Sequence, residues 1–208
     1  MRLIIVLLLV VLIPFFLWEN DIAAISAHWV SSGASQPVIA AAVIGLLAAD
    51  VVLPVPSSVV CVSAGALLGF PLGFLVNFTG LMVGCALGYG IGRVMEPWAR
   101  ARLLRDGDWH SLRDRLTTYA DLSILLSRPV PVFAEAVVLA SGVLKLPVAR
   151  LLLMSALGNA AVAALYAAVG AFGISPGRFL AAFACSILVP WLGMRYFGGW
   201  MRRSKGSA

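Results

Sequence analysis

The tripeptide Pro-Val-Pro occurs twice in this chain, in Leu53-Pro-Val-Pro-Ser-Ser58 and in Ser127-Arg-Pro-Val-Pro-Val132, and each copy interrupts a long apolar stretch. Proline removes a backbone donor and clashes with the preceding turn, so two prolines spaced by one residue end a helix. A broken helix inside a bilayer needs its freed backbone groups covered by protein or bathed in water. The few charges in these stretches lie at the same places. Asp50 precedes the first break, Arg128 stands at the second, and Glu135 follows it.

The rest of the composition says that these stretches lie in a membrane. Of 208 residues, 62% are hydrophobic and 12% charged, with a mean hydropathy of +1.01. Several runs of about 20 apolar residues predict transmembrane helices. The length suits one integral membrane domain and leaves no room for a separate soluble enzyme domain. The net charge of +6 does not point to nucleic acid, because six of the fifteen Lys and Arg lie between Arg93 and Arg115 and four more between Arg195 and Lys205. Clusters flanking apolar spans are topology signals and lipid-headgroup contacts. Cys61, Cys85 and Cys185 have no paired spacing, and His28 and His110 stand alone, so neither a disulfide frame, a metal site nor another cofactor is expected. A Gly-rich Lys-Ser/Thr loop for nucleotide is also missing from the sequence.

Along the chain, residues 3–18 read as a first, uncleaved span, since the apolar run is long for a signal peptide and no small-x-small site follows closely. Residues 19–36 carry Glu19 and Asp21 but no Lys or Arg, which places this loop outside and the N-terminus in the cytoplasm. Residues 38–69 read as helix, break, helix, with Pro54 and Pro56 at the break. Each half is too short to cross, so a re-entrant hairpin is expected. Residues 72–92 form a span on which Gly80, Gly84, Gly88 and Gly92 make one bare face for close helix packing. Residues 93–119 are a basic connection in which Leu112, Leu116 and Tyr119 fit an interfacial helix, or equally a solvated loop. Residues 120–146 repeat the broken pattern around Pro129 and Pro131, and 150–172 and 179–197 are two further spans before a basic tail.

The expected fold is therefore an all-α integral membrane protein: an inverted repeat of two opposed re-entrant helical hairpins plus four transmembrane helices. It is a single domain over 1–208, divided into a first span and external loop (1–36), a hairpin plus span (37–92), a cytoplasmic connection (93–119), a second hairpin plus span (120–173), and a last span and tail (174–208). Four spans and two non-crossing hairpins put both termini and thirteen of the fifteen basic residues in the cytoplasm, all but Arg128 and Arg178. Six true crossings would move the Arg93–Arg115 cluster outside. The halves also share a Ser-and-Gly element, Ser63-Ala-Gly65 and Ser141-Gly142, followed by Pro71 and Pro147. In transporters built from inverted repeats, broken helices meet near the midplane and form the substrate site.

The run from Asp50 through Pro-x-Pro and Gly65 to Gly88-Tyr-Gly-Ile-Gly-Arg93 resembles the first half of DedA-family proteins, the bacterial members of the VTT (SNARE-associated Golgi protein) group. Ser127-Arg-Pro-Val-Pro and Gly142-Val-Leu-Lys-Leu-Pro147 are similar to that family's second-half elements. The resemblance covers roughly residues 38–172. It implies two opposed re-entrant hairpins in a bacterial inner-membrane protein. It also implies transbilayer movement of phosphate-bearing lipids such as phospholipids or undecaprenyl phosphate, with proton coupling as one version. The departures are specific. Ser57-Ser58 stands where a second acid is usual, Cys85 where an Asp is usual, Ile124 where an aromatic is usual, and Ala134-Glu135 where a second arginine is usual.

An ionisable group at a helix centre costs about 2.5–3.5 kcal/mol to insert, so Asp50, Arg128 and Glu135 are the candidate substrate- and proton-binding residues. Arg128 offers a permanently charged planar fork that suits a phosphate, and the two acids could carry a proton. The competing reading is a buried ion pair between Arg128 and one of the acids that only locks the hairpins. Pro54, Pro56, Pro129, Pro131, Gly65 and Gly142 are architectural, and Asn159 is expected to bond between helices. The function expected is a lipid flippase or scramblase with membrane lipids as partners, no nucleic acid and no catalytic residue; a homo-oligomer is compatible with the sequence. The alternatives are a non-transporting membrane assembly protein and, with less support, an enzyme acting on a lipid phosphate.

Overall fold

The computed structural model describes residues 34–52, 55–102, 124–125, 127–128, 131–173, 177, 181 and 184. Among these, all regular structure is helical: α1 (Gln36–Ala49), α2 (Ser57–Arg102), α3 (Pro131–Val143) and α4 (Val148–Ala171). The expected first span at 3–18, the cytoplasmic connection from 103 onward, Pro54, Pro129 and nearly all of the last span lie outside the described residues.

Two of the helices are long and apolar enough to cross a membrane, over Ser57–Ala99 and Val148–Ala171. Their outward faces expose Leu75, Leu87, Leu153 and Leu157, a surface that favours lipid over water. By contrast α1, with 14 residues, and α3, with 13, reach only about 20 Å at 1.5 Å per residue, short of a hydrocarbon core of about 30 Å.

The first break falls where the prolines put it. Helix α1 stops at Asp50, whose backbone N–H still reaches the Leu46 carbonyl, and α2 starts at Ser57. A second break lies within α2 at Gly69, where φ is 74° and ψ 173°. No atom crowds that position, so glycine is used there for its backbone freedom rather than for space. Pro71 follows in the next turn. The arm 57–68 is thereby set off from the straight segment that begins at residue 70. The α3–α4 junction repeats the device with different chemistry. Lys145 takes φ 53°, its N–H reaches Gly142 O, and Leu146 N–H reaches back to Ser141 O, the paired bonds of a Schellman turn. Pro147 then caps α4. In both halves a left-handed residue stands two positions before the proline that opens a long helix.

The sequence reading ended the middle span at 92, but α2 continues as helix to Arg102 through Pro97. Hydropathy marks where the apolar face ends. The helix runs on because its charged last turns, with Arg93 and Glu96, still bond along the backbone and pack on the α3–α4 loop.

Helix α2 is the centre of the packing and contacts α1, α3 and α4. Two crossings bring backbones together. A Cβ on Gly65 would fall 2.8 Å from the Ala167 Cα, and one on Gly170 2.7 Å from the Ala66 nitrogen. At the other end, a Cβ on Gly142 would fall 2.9 Å from the Arg93 nitrogen, and one on Gly92 3.0 Å from the Leu139 carbonyl carbon. The arm after the first break thus lies on the long helix of the second half, and the arm after the second break lies on the long helix of the first. Leu47, Val62, Val76 and Val169 form one buried cluster; Cys85, Tyr89, Val138 and Leu151 form another.

Candidate functional site

A partly open cavity of about 80 Å³ lies where these clusters meet, and it is lined by residues of α1, α2, α3 and α4 together with Arg128. Asp50, Arg128 and Glu135, separated by up to 85 positions in sequence (135 − 50), all face it. Ser57, Ser58, Asn159 and Tyr166 supply its uncharged polar groups.

Arg128 lies just before the second break and is only 8% exposed. Its stem fits because Gly158 on α4 has no side chain: a Cβ there would fall 2.6 Å from Arg128 Cγ. Its Nη1 donates to the Cys85 sulfur at 2.9 Å and its Nη2 to the Ser155 hydroxyl at 2.9 Å. The buried Nε has no acceptor among the described residues. Cys85 also receives the Asn159 amide at 3.4 Å, and that amide lies 3.5 Å from the Met82 sulfur.

Arg128 forms no ion pair with Asp50 or Glu135, the geometry that a purely structural lock would require; the ion pair seen among the described residues is Lys145 with Glu96, 3.0 Å, away from the cavity. Among the described residues the guanidinium is held by neutral sulfur and hydroxyl acceptors and by no counter-charge, an arrangement that is costly for a buried cation.

Asp50 closes the first break as well as facing the cavity. Its Oδ1 accepts the Val55 N–H at 3.2 Å, and the Ser57 side chain at the start of α2 lines the cavity beside it. An acid here satisfies donors that the broken helix frees and lies at the positive end of the α2 dipole. Glu135, in the second turn of α3, has neither a hydrogen bond nor an ion pair to another described residue. The two carboxylates are near enough to repel one another.

Of the architectural residues, Pro56 borders the first break and Pro131 opens α3, while Gly65 and Gly142 form the close crossings. Sequence reasoning missed Ser57, Ser155, Gly158 and Tyr166 as parts of this site. Ser155 and Gly158 lie one helical turn apart on α4, and a small-residue pair opposite the Arg128 break was the available signal. Asn159 does bond between helices, to sulfurs on α2. Tyr89 donates to the Leu146 carbonyl at 2.8 Å and accepts from Arg93 Nη1 at 3.1 Å, so the Tyr89 and Arg93 of the glycine-rich motif tie α2 to the α3–α4 turn instead of entering the cavity. Among the described residues no group of His, Cys, Asp and Glu is arranged to hold a metal ion.

Comparison with known proteins adds one match. No curated protein and no solved structure matches the chain. The family model described as "VTT domain" matches residues 55–172, 118 of the 208 positions (172 − 55 + 1) and more than half of the chain. The matched stretch contains the arm, the long helices, the second break and every cavity residue except those of the first break's leading side, and on it the chain belongs to the VTT-domain family.

Proposed function

We propose that this protein moves phosphate-bearing lipids across a bacterial inner membrane, with the headgroup passing through the cavity at Arg128 and the hydrocarbon tail remaining in lipid. The observation that carries the reading is the buried Arg128 guanidinium, held among the described residues by neutral acceptors, with no described partner for its Nε and two acids lining the same cavity. A phosphate oxygen would supply the missing acceptor and the counter-charge together.

In this reading the helix pairs on either side of the two breaks are re-entrant hairpins that enter from opposite faces, as an inverted repeat. Support comes from the arms being too short to cross and from the reciprocal crossings at Gly65 and Gly142. In the same reading both termini lie in the cytoplasm and the chain is multi-pass, which the distribution of the basic clusters supports. Because the tail need not leave the hydrocarbon, only a polar path the width of a headgroup is required.

The test is a proteoliposome assay that follows labelled phospholipid and polyprenyl phosphate between leaflets. Arg128→Gln should slow transport by at least about tenfold, the loss of one charge-assisted contact, with the protein still folded. Wild-type protein that moves neither lipid faster than protein-free liposomes overturns the transport reading and leaves a membrane assembly factor, whereas transport left intact in Arg128→Ala and Asp50→Asn would show that the headgroup does not pass through this cavity.

A further inference from the structure

Cys85 has surroundings that a space-filling cysteine does not need. Its sulfur receives two N–H donors from distant parts of the chain, Arg128 Nη1 at 2.9 Å and Asn159 Nδ2 at 3.4 Å. It also lines the partly open cavity, which gives a small uncharged molecule a route to it. A second observation points to a missing anion at the same place. Arg128 is buried, its Nε has no acceptor among the described residues, and no described carboxylate pairs with it. Cys61 lines the same cavity and is also buried, but Arg128 donates to Cys85 and Ser155 and not to Cys61.

We propose that Cys85 is a site of oxidation by a hydroperoxide, and that the sulfinate it forms becomes the counter-ion of Arg128. The sulfur attacks one peroxide oxygen. An S–O bond forms, the O–O bond breaks, and the departing oxygen takes the thiol proton and leaves as water. Sulfur loses two electrons and the peroxide gains them. A second equivalent repeats the step on the sulfenic acid and gives the sulfinic acid, which ionises by releasing its proton to water. In each step negative charge grows on the departing oxygen, and the Arg128 N–H beside the sulfur stabilises it. The product oxygens project into the cavity that Cys85 lines, where the guanidinium supplies charge-assisted hydrogen bonds. The buried cation then has the anion that it lacks among the described residues. The consequence for transport rests on the lipid-transport reading, because the sulfinate occupies the guanidinium that a lipid phosphate would use.

The experiment treats the full-length protein in detergent with hydrogen peroxide and follows each cysteine peptide by mass spectrometry. Cys85 should gain oxygen about tenfold faster than Cys61, the effect of one charge-assisted hydrogen bond in the transition state. Arg128→Gln should bring the two rates together, and Arg128→Lys, which keeps a cation, should retain a difference. Oxidation should raise the melting temperature of the parent and leave that of Cys85→Ser unmoved. Equal oxidation of the two cysteines in the parent, a disulfide between Cys61 and Cys85 in place of added oxygen, or a lower melting temperature after oxidation overturns the inference. In proteoliposomes the oxidised parent should move labelled phospholipid about tenfold more slowly than the untreated parent, and peroxide should not change the rate of Cys85→Ser. Transport unchanged by oxidation of Cys85 upholds the modification site and refutes headgroup passage at Arg128. Transport that falls while Cys85 stays unmodified refutes the modification site and leaves the transport reading standing.

Discussion

Arg128 and Cys85, 43 residues apart, meet in the interior with the guanidinium donating to the thiol sulfur at 2.9 Å. A sulfur is a weak acceptor, so the arginine is held in place without being neutralised, and its charge stays available to a ligand. Cys85→Ser keeps an acceptor of similar size and should leave thermal stability within about 1 kcal/mol of the parent. Cys85→Val leaves Nη1 without a partner and should cost about 1–3 kcal/mol. Melting curves of the purified proteins in detergent decide between them; equal stability of the two variants would show that the sulfur contact does not hold Arg128.

The glycines divide into those that touch another backbone and those that do not. Gly65→Ala and Gly142→Ala place a methyl group against Ala167 and against Tyr89 and Arg93. Overpacking of that kind costs about 1–3 kcal/mol, and at these sites the obstacle is backbone, which cannot rotate away. Gly45 and Gly90 face open space, so alanine there should gain about 0.5–1 kcal/mol from helix propensity. Fluorescence-detected size exclusion should show Gly65→Ala and Gly142→Ala losing monodisperse protein, with Gly45→Ala and Gly90→Ala unchanged or improved.

How much of this could be read from the residues depends on the kind of signal. Proline acts locally, so the first break between Asp50 and Ser57 was legible in the sequence, and so was the pairing of rare charges with the breaks. A charge in an apolar segment is costly wherever the segment packs, which is why Asp50, Arg128 and Glu135 could be singled out before their shared cavity was known. The partners of Arg128 were not legible. Cys85, Ser155 and Gly158 are small residues of long apolar helices, and only the crossing of α2, α4 and the second break decides that they face a guanidinium. The extent of α2 was misjudged at Arg93 for a related reason, since hydropathy reports the solvent and backbone bonding reports the helix. The left-handed turn at Lys145 was hidden because glycine, the usual marker, is missing there.

Lys145 therefore offers a test of the turn itself. It holds φ 53° and also pairs with Glu96, with its side chain 46% exposed. The exposed ion pair contributes between about 0 and 1 kcal/mol, whereas the left-handed backbone costs a non-glycine residue about 1–2 kcal/mol. Lys145→Gly exchanges one for the other and should be neutral or up to about 1 kcal/mol stabilising. Lys145→Val loses the pair and adds β-branching at a positive φ, so it should lose about 2 kcal/mol. Thermal unfolding of the two variants reads the difference directly, and a destabilised Lys145→Gly would mean that the contact with Glu96 outweighs the backbone.

Asp50 combines two roles that charge and hydrogen bonding can separate. Its Oδ1 accepts the Val55 N–H across the break, and its negative charge faces the cavity. Asp50→Asn keeps an oxygen acceptor and removes the charge; Asp50→Ala removes both. The alanine variant should lose about 1–3 kcal/mol, because a partly buried N–H is left without its partner, whereas the asparagine variant should unfold within about 1 kcal/mol of the parent. If the charge is what the site uses, the two variants should nevertheless slow lipid transport in proteoliposomes to the same extent. Transport that falls only in Asp50→Ala would mean that Asp50 acts through the shape of the break rather than through its charge.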